Sequence, residues 1–425
     1  MSLNILIIGA GVCGPALATL LHGANHRHRI TVIERSPSLR LAGQQIDLKD
    51  QGLPILKKMG LQEVVKSQCV KETGMEVVDA HGKAIASFGV APAGDKKARR
   101  LALTNEYEIM RGDLVKILYE ASLRQRSSLD EEHGKEGALK YVFGTSISAL
   151  EQQDNEVNVT FSNGETGRFD LVVGADGQGS RTRRLAFGQE ASDNSFKSIG
   201  IHAAYYTVPK GGNDGGLAQM YSAPRSRFIM TRNSNRPTTQ AYLFTMDGTP
   251  MKDSYKLPVE EQKNIWKSAF QDAGWESPRL LGGMDDCDDF YAYEIGQVHM
   301  KSLYTGRVVL LGDAGYCPSP FTGLGTTLSL IGSYLLAGEL ARQDGNVDAA
   351  LESYERLARP PIDECQKMPS SFGMFFPSSS LGVWVLRNIM WAVSKFRLHA
   401  LASMWQSDDS DGWKIPDYPE LNLPM

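Results

Sequence analysis

The chain opens in three blocks set by polarity. Residues 4–11, NILIIGAG, begin with an apolar run of the kind buried on both faces of a parallel sheet. Residues 15–21 are small and apolar, as a helix must be to pack closely on such a strand, and residues 29–35, RITVIER, read as a second strand. The pattern of a buried strand ending in Asp and Gly returns twice, in FDLVVGADGQGSRTRR at 169–184 and in GRVVLLGDAGYCPSPFTGLGTTLSLIGSYLLAGEL at 306–340. The second of these continues into a long helix. Between 185 and 293 the periodicity changes to alternation, in SIGIHAAYYTVPK, LAQMYSAP, RFIMTR and TTQAYLFTM, which predicts a mostly antiparallel sheet. Near the C-terminus Leu386, Ile389, Met390, Val393, Phe396, Ala400 and Met404 recur at helical spacing, with Arg387, Lys395 and Arg397 elsewhere on the wheel. This amphipathic helix is expected to pack across the other domains, with a weak membrane-surface contact as the alternative. Pro369, Gly373, Pro377 and Gly382 interrupt the uncharged stretch before it and argue against a transmembrane span.

The glycines between the first strand and helix have separate jobs. Gly9 lets the chain turn, Gly11 lets backbone approach a pyrophosphate, and Gly14 lets helix and strand touch. The helix start offers free N–H groups and the positive end of its dipole to that anion. Glu34, with Arg35 beside it, closes the second strand about 20 residues on, where an acid accepts ribose hydroxyls. An acid there disfavours a 2′-phosphate, so FAD or NAD is the expected resident nucleotide. Asp313, at a strand's carboxyl end, can accept from ribityl hydroxyls. Gly323 and Gly325 expose N–H groups at the next helix start, where they would stabilise negative charge on a reduced flavin.

Composition narrows the classes. A chain of 425 residues has room for two or three domains. Its 42% hydrophobic and 22% charged residues, with a net charge of -4 and no block of like charge, do not suggest a nucleic-acid partner. Cys13, Cys69, Cys287, Cys317 and Cys365 are scattered without metal-ligand spacing, so neither a metal site nor a disulfide framework is expected. The first apolar run lacks a basic leader and reads as a buried strand, which leads to the expectation of a reducing, cytoplasmic setting.

The three glycine-acid motifs, taken in order, resemble the class A FAD-dependent monooxygenases of the para-hydroxybenzoate hydroxylase-like family, closest in pattern to the tetracycline-inactivating members. The first motif falls on Gly9, Gly11, Gly14 and Glu34, the second on Asp176, Gly177, Ser180 and Arg183, and the third on Gly312, Asp313, Pro320, Gly323 and Gly325, with Thr326 following. Arg111 matches an arginine that contacts the FAD phosphate or ribose. The resemblance implies an α/β fold, with a Rossmann-like FAD-binding domain of glutathione-reductase type at 1–72, 101–185 and 294–365. An inserted, mostly antiparallel substrate domain is expected at 73–100 and 186–293, and a C-terminal helix and tail at 366–425. The sequence departs from the commoner pattern with Gly315 and Tyr316 after Asp313 and Ala314, with Thr327 in place of an Asn, and with Gly332 in place of an Asp.

The same resemblance implies that NADPH (or NADH) reduces FAD transiently and that O2 adds to form a flavin hydroperoxide. Oxygen then passes to an electron-rich aromatic, polyketide or alkaloid-like small molecule. His202 aligns with a substrate-contacting Gln and could polarise a phenol or enol; Gln45, Met220, Tyr242 and Phe321 are further pocket candidates. A halogenase or reductase of the same superfamily is the nearest rival, since GWKIP at 412–416 matches half of a halogenase signature, although Asp411 stands where its first Trp belongs. A membrane-surface terpenoid or lipid epoxidase and a non-catalytic FAD-binding module are the other readings. Monomer and dimer are both open.

Overall fold

The computed structural model describes residues 1–49, 51–89, 107–212, 214–233, 236–367, 372–396 and 413–423. Two sheets carry the site. The first has six strands in the order Tyr304–Thr305, Val308–Leu310, Leu171–Gly174, Asn4–Ile8, Arg29–Glu34 and Ala138–Phe143. All of its pairings are parallel except the edge pair Tyr304–Thr305 with Val308–Leu310. Ile5, Leu6, Ile7 and Ile8 are all buried, as expected of a strand covered on both faces. The helix Cys13–Ala24 packs on this sheet, and the helix Gly325–Arg342 packs on that helix in turn. Residues 327–340 of the latter are buried all round, which is why its sequence shows no polar stripe.

The second sheet has seven strands, in the order Tyr291–Val298, Phe196–Pro209, Thr238–Thr245, Arg227–Arg232, Ala218–Ala223, Gly74–Val78 and Ala84–Gly89. Only the pairing of Ala218–Ala223 with Gly74–Val78 is parallel. Alternation sorts its two faces. Ala204, Tyr206, Tyr221, Ile229 and Leu243 pack against Trp266, Phe270, Leu280 and Met284 of the helices Val259–Phe270 and Ser277–Asp286. Ile201, Ala203, Tyr205, Tyr242, Phe244 and Ile295 line the other face. The strand Tyr291–Val298 crosses the expected domain boundary between 293 and 294, so it belongs to the second sheet as a unit.

After the helix Val347–Cys365 the chain forms the helix Ser380–Lys395, whose Ser394 hydroxyl donates to the Ser87 carbonyl (3.0 Å) at the edge strand Ala84–Gly89. Tyr418 returns to the first sheet's helices, donating to Glu339 at 2.5 Å. Leu386 is buried and Met390 half-buried, but Ile389 and Phe396 are exposed, so the apolar stripe is wider than the face that packs. Ala400, Met404, Asp411 and Gly412 lie outside the described residues, as does part of 73–100. No helix among the described residues is long and apolar enough to cross a membrane.

Candidate active site

Ile8, Glu34, Gly174 and Leu310 end parallel strands side by side, and ligands of open α/β sheets bind at such ends. Gly9 holds φ at +115°, and a Cβ there would strike the Ala175 carbonyl. A Cβ on Gly14 would overlap the Gly9 carbonyl oxygen, so turn and helix touch through backbone alone. The helix Cys13–Ala24 has no side-chain cap and no acid in its first turn, which leaves its leading N–H groups free for an anion.

Three arginines crowd this turn. Arg111 Nη2 lies 3.5 Å from where a Cβ of Gly11 would stand, and its Nη1 donates to the Ala42 carbonyl at 3.4 Å. Burial, then the cations of Arg111 and Arg35, pull the Arg40 guanidinium below its usual range, with Glu34 opposing. Glu34 itself accepts from the N–H groups of Ala10 (3.1 Å) and Ser36 (2.9 Å), at the lip of the turn. Guanidinium groups that repel one another beside an uncapped helix start are a cradle for a pyrophosphate.

The second motif holds this cradle from behind. The Asp176 carboxylate accepts from Ser180 Oγ (2.5 Å), Arg181 N–H (2.8 Å), and the N–H and hydroxyl of Thr182 (both 3.0 Å). Four donors occupy its acceptor sites, so it ties down the first turn of the helix Arg181–Phe187, whose N-cap is Ser180, and positions the loop instead of facing a ligand through its carboxylate. Arg183 donates to the Ala314 and Gln178 carbonyls, both at 2.7 Å, tying the second motif to the third.

In the third motif, Asp313 is half-buried, and its carboxyl is raised by burial while Cys317 and Arg111 pull it down. Its Oδ1 lies 4.0 Å from where a Cβ of Gly325 would stand, at the start of the helix Gly325–Arg342, which also lacks a side-chain cap. Pro320 and Phe321 form a tight turn before Gly323, where an added Cβ would meet Asp47 Oδ2 and Lys49 Nζ, each at 3.0 Å. Thr326 stands half-exposed in the helix's first turn. Thr327 donates to the Lys49 carbonyl (2.8 Å) and accepts from the Lys49 N–H (3.3 Å), clamping that segment to the helix. Cys317 is buried, with burial holding its thiol far above the usual range, which makes it inert as a nucleophile.

Opposite these motifs stands an aromatic wall. Tyr205 stacks on Tyr291 (5.2 Å) and Tyr293 (5.9 Å) and meets Tyr242 edge-on (4.9 Å). Phe244 lies 5.8 Å from both Phe228 and Phe321, and Phe321 carries the wall onto the third motif. Tyr291 donates to Gln44 Oε1, and burial pushes its hydroxyl up to about 12, so the wall stays protonated. On the same face, beside the wall, Arg232 bridges the buried carboxylates of Glu72 and Glu108, and Gln45 Nε2 donates to both. Burial, with Asp47 and Glu72 nearby, raises the Glu108 carboxyl, and Arg232 opposes this. Among the described residues no cluster of side chains suits a metal ion.

A family model described as an FAD binding domain matches residues 2–365. The chain belongs to that family. It is 41% identical to the FAD-dependent monooxygenase asL6 of Sarocladium schorii over all of both chains, and 33% identical to the flavin-dependent monooxygenase eupH of a Phoma species over 98% of each. Among solved structures, tetracycline destructase Tet(51) matches with a TM-score of 0.75 at 27% identity, covering 98% of this chain and all of that one. The protein is an FAD-dependent monooxygenase, an oxidoreductase of class A. The uncapped helix starts, the arginine cluster and the backbone-only turn fit the pyrophosphate of such a cofactor.

In this monooxygenase the pocket candidates divide. Phe321 and Tyr242 join the wall, Tyr242 donating to Gln240 Oε1 (2.7 Å) while accepting from the Gln45 N–H (3.1 Å). Gln45 is buried inside the Arg232 network instead of lining open space. Met220 sits in the same cross-strand row as Met230 and Tyr242 but is buried against Met75 and Val77. His202 is a correction. Residues alternate across the strand Phe196–Pro209, so with Ile201 and Ala203 on the wall, His202 points to the opposite face. There it stacks on Tyr255 at 6.1 Å, and burial lowers its pKa against the pull of Glu294 and Asp247. Sequence reasoning missed Tyr205, Tyr291 and Tyr293, although the two-residue spacing of the last pair was a usable signal.

Proposed function

We propose that this monooxygenase uses NADPH and O2 to hydroxylate or epoxidise an electron-rich aromatic or polyketide-type small molecule. Bound FAD supplies electron transfer from the nicotinamide and activation of O2. The chain's residues do the rest. The arginine cluster and the two helix starts hold the cofactor and favour negative charge on it. The tyrosine and phenylalanine wall excludes water and stacks on a flat substrate, and the Tyr293 phenol, held protonated, orients a substrate oxygen by donating a hydrogen bond, the Tyr242 and Tyr291 protons being given to Gln240 and Gln44. This wall, facing the cofactor motifs, is the observation that carries the reading. The balanced reaction consumes one NADPH, one proton and one O2, and returns NADP⁺, water and a substrate one oxygen heavier.

The halogenase reading loses ground. Trp413 and Ile415 pack on the first sheet's core, and the Trp413 carbonyl accepts from Gln51 (3.5 Å), as a tail anchor would. The test is anaerobic addition of NADPH to the purified protein, then air and a panel of polyketide phenols. The flavin band is expected to bleach, return with oxygen, and yield a product heavier by one oxygen atom. An NADPH-inert flavin beside every panel compound would sink the proposal.

A further inference from the structure

Nearly half of the exposed large apolar side chains among the described residues gather in one short segment. Of the fifteen among the described residues, seven fall between 374 and 396: Met374, Leu381, Trp384, Val385, Ile389, Trp391 and Phe396. All but Met374 belong to the helix Ser380–Lys395 and its C-cap, where Val383 and Leu386 take the packing and the opposite side is left to solvent. Leu381 is 70% exposed and Trp384 61%, values that a packed helix face does not show. Beside this face, Met374, Pro377, Leu381, Val385 and Ile389 line an open groove of about 400 Å³.

Charge says what fits there. Residues 372–396 contain no Asp or Glu, within a chain whose net charge is -4; of their two cations Arg387 turns inward over the Tyr221 ring (5.4 Å) and Lys395 stays on the exposed side. Lys395 Nζ sits 4.8 Å over the Trp391 ring, so a cation and an indole share one end of the exposed face. Apolar side chains flanked by indoles and a cation suit the boundary between acyl chains and anionic headgroups. A second copy of the chain suits it less. A helix of 16 residues is about 24 Å long and 10 Å wide, so its face offers a few hundred Å², short of the roughly 800 Å² per partner of a stable interface.

We infer that the helix Ser380–Lys395 seats the enzyme on an anionic lipid surface, with its groove turned toward the acyl region. The chain just before the helix makes the location useful. Phe376 packs into the aromatic wall, 6.1 Å from Phe228, while Pro377 lines the groove, so an apolar substrate dissolved in lipid would meet the enzyme one residue from that wall. Binding to lipid needs no turnover, so failure of this inference and failure of the proposed reaction are separable.

The flavin-loaded full-length protein is mixed with phosphatidylcholine vesicles, with or without phosphatidylglycerol, and the bound fraction is read by flotation at low and high salt. Binding to the anionic vesicles is expected, weakening as salt rises. The double variant Leu381→Gln, Trp384→Gln should lose most of it, and Lys395→Glu should reduce partition about tenfold or more. Both keep the buried side of the helix, and their flavin absorbance confirms folding. No flotation with anionic vesicles at low salt overturns the inference, as does undiminished binding of the double variant. A wild-type dimer on sizing that the double variant converts to monomer, without vesicle binding, would reassign the face to a second copy.

Discussion

His202 and Tyr293 make opposite demands on the same experiment. His202 lies behind the sheet, so His202→Ala is expected to leave kcat and KM for the product-forming reaction within about twofold of wild type. Tyr293, whose neighbours include Tyr205 and Asp313, is on the wall, and Tyr293→Phe should lower kcat/KM by roughly tenfold, the worth of one hydrogen bond of about 1 kcal/mol or slightly more. Equal losses in both variants would mean that the sheet faces have been assigned wrongly. Arg232 supports a stability prediction. Arg232→Met leaves Glu72 and Glu108 buried without their cation, at a cost of roughly 3–5 kcal/mol in urea unfolding near neutral pH. That deficit should shrink toward about pH 5, because the Glu108 carboxyl, raised by burial in the folded state, is relieved by taking up a proton. The glycines and Asp313 were legible in the sequence because their roles are backbone and strand-end roles with fixed spacing. The Arg232 network was not, because Glu72, Glu108 and Arg232 are brought together from distant segments and no spacing links them.

At the scale of elements, the first helix carries its own pH sensor. His22, buried in Cys13–Ala24, and His28, just before the strand Arg29–Glu34, sit beside each other, with His22 Nε2 3.3 Å from the His28 carbonyl and His28 Nδ1 accepting from the Leu3 N–H (3.0 Å). Burial lowers both to about 4. The unfolded chain therefore binds more protons between about pH 6.5 and 4, and stability falls as pH drops through that window. Each histidine contributes roughly 3 kcal/mol, so thermal unfolding should shift sharply downward across the window, and His28→Gln should flatten the profile. A wild-type melting temperature unchanged between these limits would refute it. The elements themselves were mostly readable: unbroken apolar runs became doubly covered strands, and alternating ones became the second sheet. The face each side chain takes was not, since an aligned position such as His202 can be one residue out of phase with the pocket, and one residue reverses the face.

At the scale of the whole molecule, the two sheets share no strand among the described residues; side chains link their halves, along with a backbone bond from the Val298 N–H to the Cys317 carbonyl (3.0 Å). The strand pair Gln45–Asp47 and Glu108–Met110 lies on the cofactor side and Arg232 and Gln240 on the other, joined by the Gln45 and Arg232 bonds. Gly14→Ala tests the cofactor half alone. Its Cβ has no room against Gly9, so the variant is expected to purify colourless, or to release flavin on dilution, while keeping the far-ultraviolet signature of the antiparallel sheet. Retention of bound flavin would show that the turn can yield.

The tyrosine wall also bears on what light would reveal. Phenols are good electron donors to an excited isoalloxazine, and four of them gathered opposite the cofactor motifs should drain its excitation before it emits. The holoenzyme is then a yellow protein that scarcely glows, and every molecule of FAD that escapes becomes a lamp. Emission rising from a dark solution would count cofactor loss in real time, with no substrate in hand.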